Sequence, residues 1–384
     1  VTDPSRPDDA PDLEGGQDAP DVTDEPDARG ASRRAFLRRA GLGGAGLLGL
    51  GLAGHEVGAA TGLHGHAEAL AAPADGPVHA TGTVRDPGVV DGRGVVGDAA
   101  VSANYGHGVS PPLDAPDGLL DAVTFPPGFD GRPPGQVREY EIDVLDTSLL
   151  VAHGTVARAW TYGGRAPGPV LRATEGDTLR VHLRNRTDRP HNLHLHGRHS
   201  PQMDGWEPIP PGGEFTYEVT AEPFGLHPYH CHTPPLAMHV AKGLYGAFLV
   251  DPPGGRPPAH EVVLLLSGWD LDDDGRNELV AWNGVAGWYQ RHPITVPVGE
   301  LVRVHVLNML EHEPVASFHL HAQTFDVFWH GTSLEPDLHA DTIALTQGDR
   351  AIVEFTLPER GRYMFHPHQH RLADMGAIGW FAAV

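Results

Sequence analysis

Four His-x-His pairs stand out in this chain: His194/His196, His230/His232, His319/His321 and His366/His368. On an extended strand residues i and i+2 point to the same face. Each pair therefore presents two imidazoles to one point. Neutral imidazole is the commonest metal-ligating side chain and suits copper. One such pair is unremarkable on an exposed strand face; two in each half of the chain predict convergence on several metal ions. The single cysteine, Cys231, lies inside the second pair as His230-Cys231-His232. Its thiol must point opposite to the flanking imidazoles. Cys231 can then bind a different metal while remaining covalently continuous with its neighbours, which makes a short path for electrons. A cysteine thiolate with two histidines and a weak axial group is the blue-copper donor set. His191 stands three residues before His194, and His239 eight after Cys231. Leu244, five beyond His239, cannot ligate, which predicts a three-coordinate copper of raised potential, with Met238 as the rival axial group.

Short strands must position these side chains. Val137–Val144 and Thr178–Asn185 alternate apolar and polar residues, with turns at Pro167-Gly168-Pro169 and Gly176-Asp177. Residues 259–384 repeat the plan. Glu261–Leu266 reads as a strand, Val298–Asn308 has the rhythm of residues 175–185, and Gly348-Asp349 again precedes a strand. Two copies at a period above a hundred residues mean duplicated domains. The expected organisation is an all-β protein of two β-sandwich domains, residues 134–256 and 257–384. Before them, residues 1–31 hold ten Asp/Glu against Arg6 and Arg29 and are expected to be disordered. Arg33-Arg34 before Phe36-Leu37 and the Gly/Ala/Leu run from Ala40 to Gly54 match a twin-arginine export signal ending between about Ala59 and Ala74. Localisation outside the cytoplasmic membrane follows, with retention as an anchor helix as the alternative. Residues 75–133, containing His79 and His107, read as a linker or N-terminal extension whose histidines are solvated.

Composition sets limits. Gly 49 and Pro 36 favour loop-rich β structure. A net charge of −23 argues against a nucleic-acid partner, whose phosphates would be repelled. One cysteine excludes an intramolecular disulfide. The acidic stretch Asp270–Gly275 lacks a glutamate at its twelfth position, which is Ala281, and reads as a solvated turn rather than a calcium loop.

The run His191-Asn-Leu-His-Leu-His-Gly197, with His230-Cys-His232, His239, Leu244, His319-Leu-His321 and His366-Pro-His368, resembles the copper motifs of two-domain, laccase-like multicopper oxidases. The resemblance covers about residues 134–384. It implies Greek-key cupredoxin folds, about four coppers per chain and a homotrimer with clusters shared between subunits. His191, Cys231 and His239 would hold the type 1 copper. His194 and His319 would hold the type 2 copper, and His196, His230, His232, His321, His366 and His368 the type 3 pair. In the second domain Ala316, Pro367 and a position near Leu372 stand where the blue-copper ligands would recur, and His370 is spare. The implied reaction is one-electron oxidation of a small reductant, through the solvent-near edge of His239, coupled to reduction of dioxygen to water. Asp204, in Met203-Asp204-Gly205-Trp206, is the candidate proton relay and otherwise a turn former. Phenols, aromatic amines, ferrous and cuprous ions are all open as reductants, although Met 5 disfavours the last. Copper nitrite reductase is the nearest alternative, with an aspartate at the position of His194 and a small residue after the cysteine. An electron carrier without turnover is a third reading, but it has no use for eight clustered histidines.

Overall fold

The computed structural model describes residues 134–384. The acidic segment, the export signal and the stretch with His79 and His107 lie outside the described residues. Two β-sandwiches of cupredoxin type follow one another along the chain. The first is built from β1 (Val137–Ala152), β2 (Thr155–Tyr162), β3 (Leu171–Thr174), β4 (Thr178–Asn185), β5 (His194–Leu195), β6 (Glu214–Thr220), β7 (Gly225–His230) and β8 (Tyr245–Asp251). Its sheets run β2-β1-β4-β6 and β3-β8-β7-β5. The alternation in β4 does what its sequence dictates. Leu179, Val181 and Leu183 are buried while Arg180, His182 and Arg184 remain partly exposed. The apolar faces of both sheets meet in a core with Ile142, Val144, Tyr162, Leu171, Tyr217 and Phe248. Helix α1 (Leu236–Ala241) lies between β7 and β8.

The second lobe repeats this order with additions. It contains β9 (His260–Trp269), β10 (Leu279–Trp282), helix α2 (Trp288–Arg291), β11 (Ile294–Val296), β12 (Leu301–Asn308), β13 (Val315–Leu320), β14 (Phe325–Trp329), β15 (Leu338–Ala340), β16 (Thr342–Thr346), β17 (Arg350–Thr356), β18 (Gly361–His366), helix α3 (His370–Asp374) and β19 (Gly379–Ala383). Its sheets run β10-β9-β12-β17-β14-β15 and β11-β19-β18-β13-β16. The internal repeat extends to strand direction: β1 pairs parallel with β4 as β9 does with β12, and β3 with β8 as β11 does with β19.

Strands β8 and β9 do not alternate; nearly every side chain in them is buried. The reason is a second apolar layer between the lobes. Phe248 and Val250 face the first core, whereas Tyr245, Ala247 and Leu249 pack against Val263, Leu265, Leu307 and Ile352 of the second lobe. A continuous hydrophobic run is what a strand covered on both faces requires. Charged groups cross the same seam. Arg172 of β3 reaches Asp251 at 2.8 Å and Glu261 of β9 at 3.1 Å, and His305 Nε2 lies 2.8 Å from Glu261. These partners hold the Glu261 carboxyl down to about 2, against the upward push of its burial.

Candidate metal centres

The thiol site is assembled from three segments. His191 is fixed by backbone hydrogen bonds in both directions with Ile209. Cys231 follows directly on β7, and its N–H donates to the Leu244 carbonyl at 3.0 Å. His239 comes from α1. All three side chains are buried. The Nδ1 atoms of His191 and His239 are 3.2 Å apart, and Cys231 Sγ lies 3.2 Å from His239 Nδ1 and 3.9 Å from His191 Nδ1. Leu244 is fully buried in the same cluster as Cys231, and Met238 packs against that cluster from its edge. Desolvation, followed by their mutual repulsion and the nearby Arg189 cation, lowers His191 to about 3; desolvation and Arg189 lower His239 to about 4. Burial pushes the Cys231 thiol up. Two neutral imidazoles and a thiol thus face one point. A soft divalent or monovalent cation would complete the site and ionise the sulfur, so the residues fit copper.

Sequence reading missed three neighbours of this site. Asn192 Oδ1 accepts the His232 N–H at 2.6 Å and lies 3.4 Å from Cys231 Sγ, tying the thiol segment to the imidazole segment. Trp160 of β2 packs its ring against both histidines, with centroids 5.2 Å from His191 and 4.8 Å from His239. The guanidinium of Arg189 lies over that ring at 5.4 Å. A lone Trp and a lone Arg carry no spacing signal that could have revealed them. His239 itself is 3 % exposed. The solvent-near edge expected from the sequence is therefore nearly closed, and Trp160 covers it.

The histidine pairs gather in two matched sets. In the first lobe His194 on β5 stands opposite His230 on β7; in the second, His319 on β13 stands opposite His366 on β18. His196 Nε2 and His230 Nε2 are 3.2 Å apart, as are His321 Nε2 and His366 Nε2 at 2.9 Å. Rings of His194 and His232 lie 5.2 Å apart, those of His319 and His368 5.1 Å. In each set backbone carbonyls engage Nδ1: His194 with Asp204 O, His230 with Cys231 O, His319 with Asp341 O and His366 with Pro367 O. That fixes the tautomer and leaves Nε2 free toward the neighbouring rings, as metal-ligating histidines require. Desolvation, then repulsion between rings, lowers His196 to about 3 and outweighs the carbonyl bonds in His230 and His366, which fall to about 4. Among the described residues no ring of the first set contacts one of the second, and the two sets stand apart within the chain.

Asp204 closes the short 3-10 turn Pro201–Met203, and its carboxylate lies 3.4 Å from His194 Nδ1 and 3.8 Å from His199 Nε2. It does touch the candidate site. His370 starts α3, exposed, with its ring 5.3 Å from His368. Exposed Trp206 stacks edge-on to His232 at 5.4 Å. The carboxylates of Asp270, Asp272, Asp274 and Glu278 do approach one another, but Asp270, Asp272 and Glu278 accept N–H groups of their own loop.

The second lobe has the scaffold of the thiol site without its chemistry. Leu372 occupies the place of His239, since Ala377 N–H donates to its carbonyl as Leu244 N–H does to that of His239. Ser317 stands for Asn192, its hydroxyl accepting the His368 N–H at 2.7 Å. Ala316 and Leu372 are buried in the apolar core, and Pro367 replaces the cysteine.

Comparison with known proteins gives a consistent outcome. Two multicopper oxidase family models match residues 133–255 and 256–384. A crystal structure of a multicopper oxidase superposes with a TM-score of 0.64 and 43 % identity, covering 66 % of this chain and 93 % of that one. The copper-containing nitrite reductase of Neisseria meningitidis serogroup B is 31 % identical over 68 % of this chain and 73 % of its own length. The multicopper oxidase MmcO of Mycobacterium tuberculosis is 37 % identical over a shorter stretch, 30 % of this chain and 24 % of its own length.

Proposed function

The chain belongs to the multicopper oxidase family and couples one-electron oxidation of a reducing substrate to the four-electron reduction of dioxygen to water; on that premise we propose how its own residues divide the work. Copper, when bound, supplies one-electron storage at the thiol site and dioxygen reduction at the histidine cluster. His191, Cys231 and His239 would hold the first ion, with Leu244 buried in the same cluster and excluding water from it. His194 and His319 would hold the type 2 ion, and His196, His230, His232, His321, His366 and His368 the type 3 pair, for about four coppers per chain. The backbone His230-Cys231-His232 joins the two sites covalently. The carbonyl-latched rings are aimed before metal arrives, so little ordering remains for binding to do. Asp204 hands protons toward the His194 face. The single observation that carries this reading is the duplicated pair geometry, with Nδ1 latched and Nε2 free in both lobes.

Four histidines in each half-site are too few for a trinuclear cluster. As the family resemblance implies, the first lobe of one subunit faces the second lobe of the next, and three copies close a ring. Exposed Trp206, beside His232, becomes covered in that arrangement. The Arg33-Arg34 segment supports twin-arginine export out of the cytoplasm. The similarity to nitrite reductase is a shared scaffold; a mononuclear catalytic copper has no use for His232 and four paired histidines in the second lobe. Metal analysis of the purified protein tests the reading. About four coppers per chain are expected, and about three with loss of the thiolate absorption and of oxygen uptake in Cys231→Ser. Two coppers per chain, or undiminished oxygen uptake in that variant, overturns it.

A further inference from the structure

The thiol site differs from its empty sister in more than ligands. Position for position, Trp160 corresponds to Val280: the N–H of each donates to the residue that caps the ligand helix, Lys242 or Met375. Arg189, two residues before His191, corresponds to Pro314, two before Ala316. The ring against the imidazoles and the cation over that ring thus occur only in the lobe that carries the thiol. Arg189 is held there by a built loop. Its N–H donates to Thr187 Oγ1 at 3.2 Å, and its carbonyl accepts from Asn185 Nδ2 at 2.6 Å and Thr187 Oγ1 at 3.0 Å. The side chain is 58 % exposed, and its one ion-pair contact among the described residues is with Asp188, at 3.8 Å, itself 85 % exposed. The pairing leaves the guanidinium open to solvent. After desolvation, the Arg189 cation acts on both imidazoles. The protein is strongly acidic overall, yet a cation, Arg189, lies over the ring that covers its candidate electron-accepting site.

We infer that Arg189 and Trp160 form the docking face for the reductant, and that this face selects an anionic aromatic reductant, such as a phenolate or a sulfonated aromatic amine, over ferrous, cuprous or other cationic ones. This rests on the oxidase reading of the same site. The guanidinium pairs with the anion, and Trp160, 9 % exposed, bridges the ring-to-ring gap to His191 and His239. A phenolate docked there loses one electron and leaves as a neutral phenoxyl radical, with no proton to dispose of at the docking face. Four such losses supply the four electrons that, with four protons, turn one dioxygen into two waters. A metal cation meets repulsion at the same point.

The test uses the copper-loaded protein and two one-electron reductants of similar shape and opposite charge, ferrocenesulfonate and ferrocenylmethyltrimethylammonium. The ratio of their kcat/KM values for oxygen uptake, anionic over cationic, is expected to fall about tenfold or more in Arg189→Glu, to fall less at high ionic strength, and to be largely restored in Arg189→Lys. Binding is read independently with redox-inert benzenesulfonate, whose proton resonances are expected to broaden beside the copper-loaded wild type and to sharpen with Arg189→Glu. A ratio unmoved by charge reversal, with oxygen uptake intact, overturns the inference and leaves the oxidase reading standing. Absence of oxygen uptake with either reductant brings down both.

Discussion

Metal binding to the thiol site should release one proton at neutral pH, and the structure says from which atom. His191 and His239 titrate at about 3 and about 4, so at pH 7 about one imidazole in a thousand or fewer carries a charge. Neither has a proton to give up from the charged form. Burial raises Cys231 above an ordinary thiol, so the sulfur keeps its proton at pH 7. A metal ion must displace that proton. The perturbation is Cys231→Ser, which keeps both imidazoles and removes the acidic proton. Copper-free wild type and variant are titrated with cobalt(II), a redox-quiet probe, in buffers of different ionisation enthalpy. The wild type is expected to release one more proton than the variant. Its affinity at this site gains about tenfold, or about 1.4 kcal/mol, per pH unit between pH 5 and 8. Below about pH 4 the slope steepens as the imidazoles begin to protonate. Proton release from this site in the variant at pH 7 means the imidazoles are charged in the folded chain, and a difference of zero between wild type and variant means the thiol is already ionised; either refutes the argument from burial.

Three further outcomes follow from the packing. Leu244→Met, a nearly volume-conserving change in a buried position, is expected to cost less than about 1.5 kcal/mol of stability and to lower the midpoint of a redox titration by offering an axial sulfur; an unchanged or raised midpoint counts against Leu244 as the axial residue. Asn192→Ala strands the His232 N–H and is expected to lose about 1–3 kcal/mol in denaturant unfolding. For the copper-free protein, histidines with depressed folded values bind fewer protons folded than unfolded below about pH 6.5, so stability should fall as pH falls from 6.5 toward 4. The slope is about 1.4 kcal/mol per pH unit for each histidine that stays neutral only when folded; a flat thermal midpoint across that range would falsify the assignment of these rings as neutral.

Much of this was legible in the sequence because strands translate spacing into direction. His-x-His on an extended segment fixes two rings to one side and Cys231 to the other, and the duplicated pattern announced two lobes. What escaped reading depends on contacts between distant segments. Trp160 lies in β2, and nothing in Thr155–Tyr162 says which ring it will touch. Asn192 sits within the motif itself, but its hydrogen bond to His232 arises only when residues forty apart meet. The division of the eight histidines four and four was legible, since two pairs fall in each half of the chain, whereas the separation of the two sets within one chain was only implied by the resemblance, because spacing alone does not place one lobe relative to the other.

The strand Tyr245–Asp251 belongs to two interiors at once. Phe248 and Val250 fill one while Tyr245, Ala247 and Leu249 fill the other. No side of it is left to absorb a clumsy substitution, so drift here would disturb both lobes together. Its first residues follow directly on Leu244, whose carbonyl anchors Cys231. The part of the chain least able to change is thus also the part against which the sulfur is braced, and the metal's surroundings inherit their constancy from the seam.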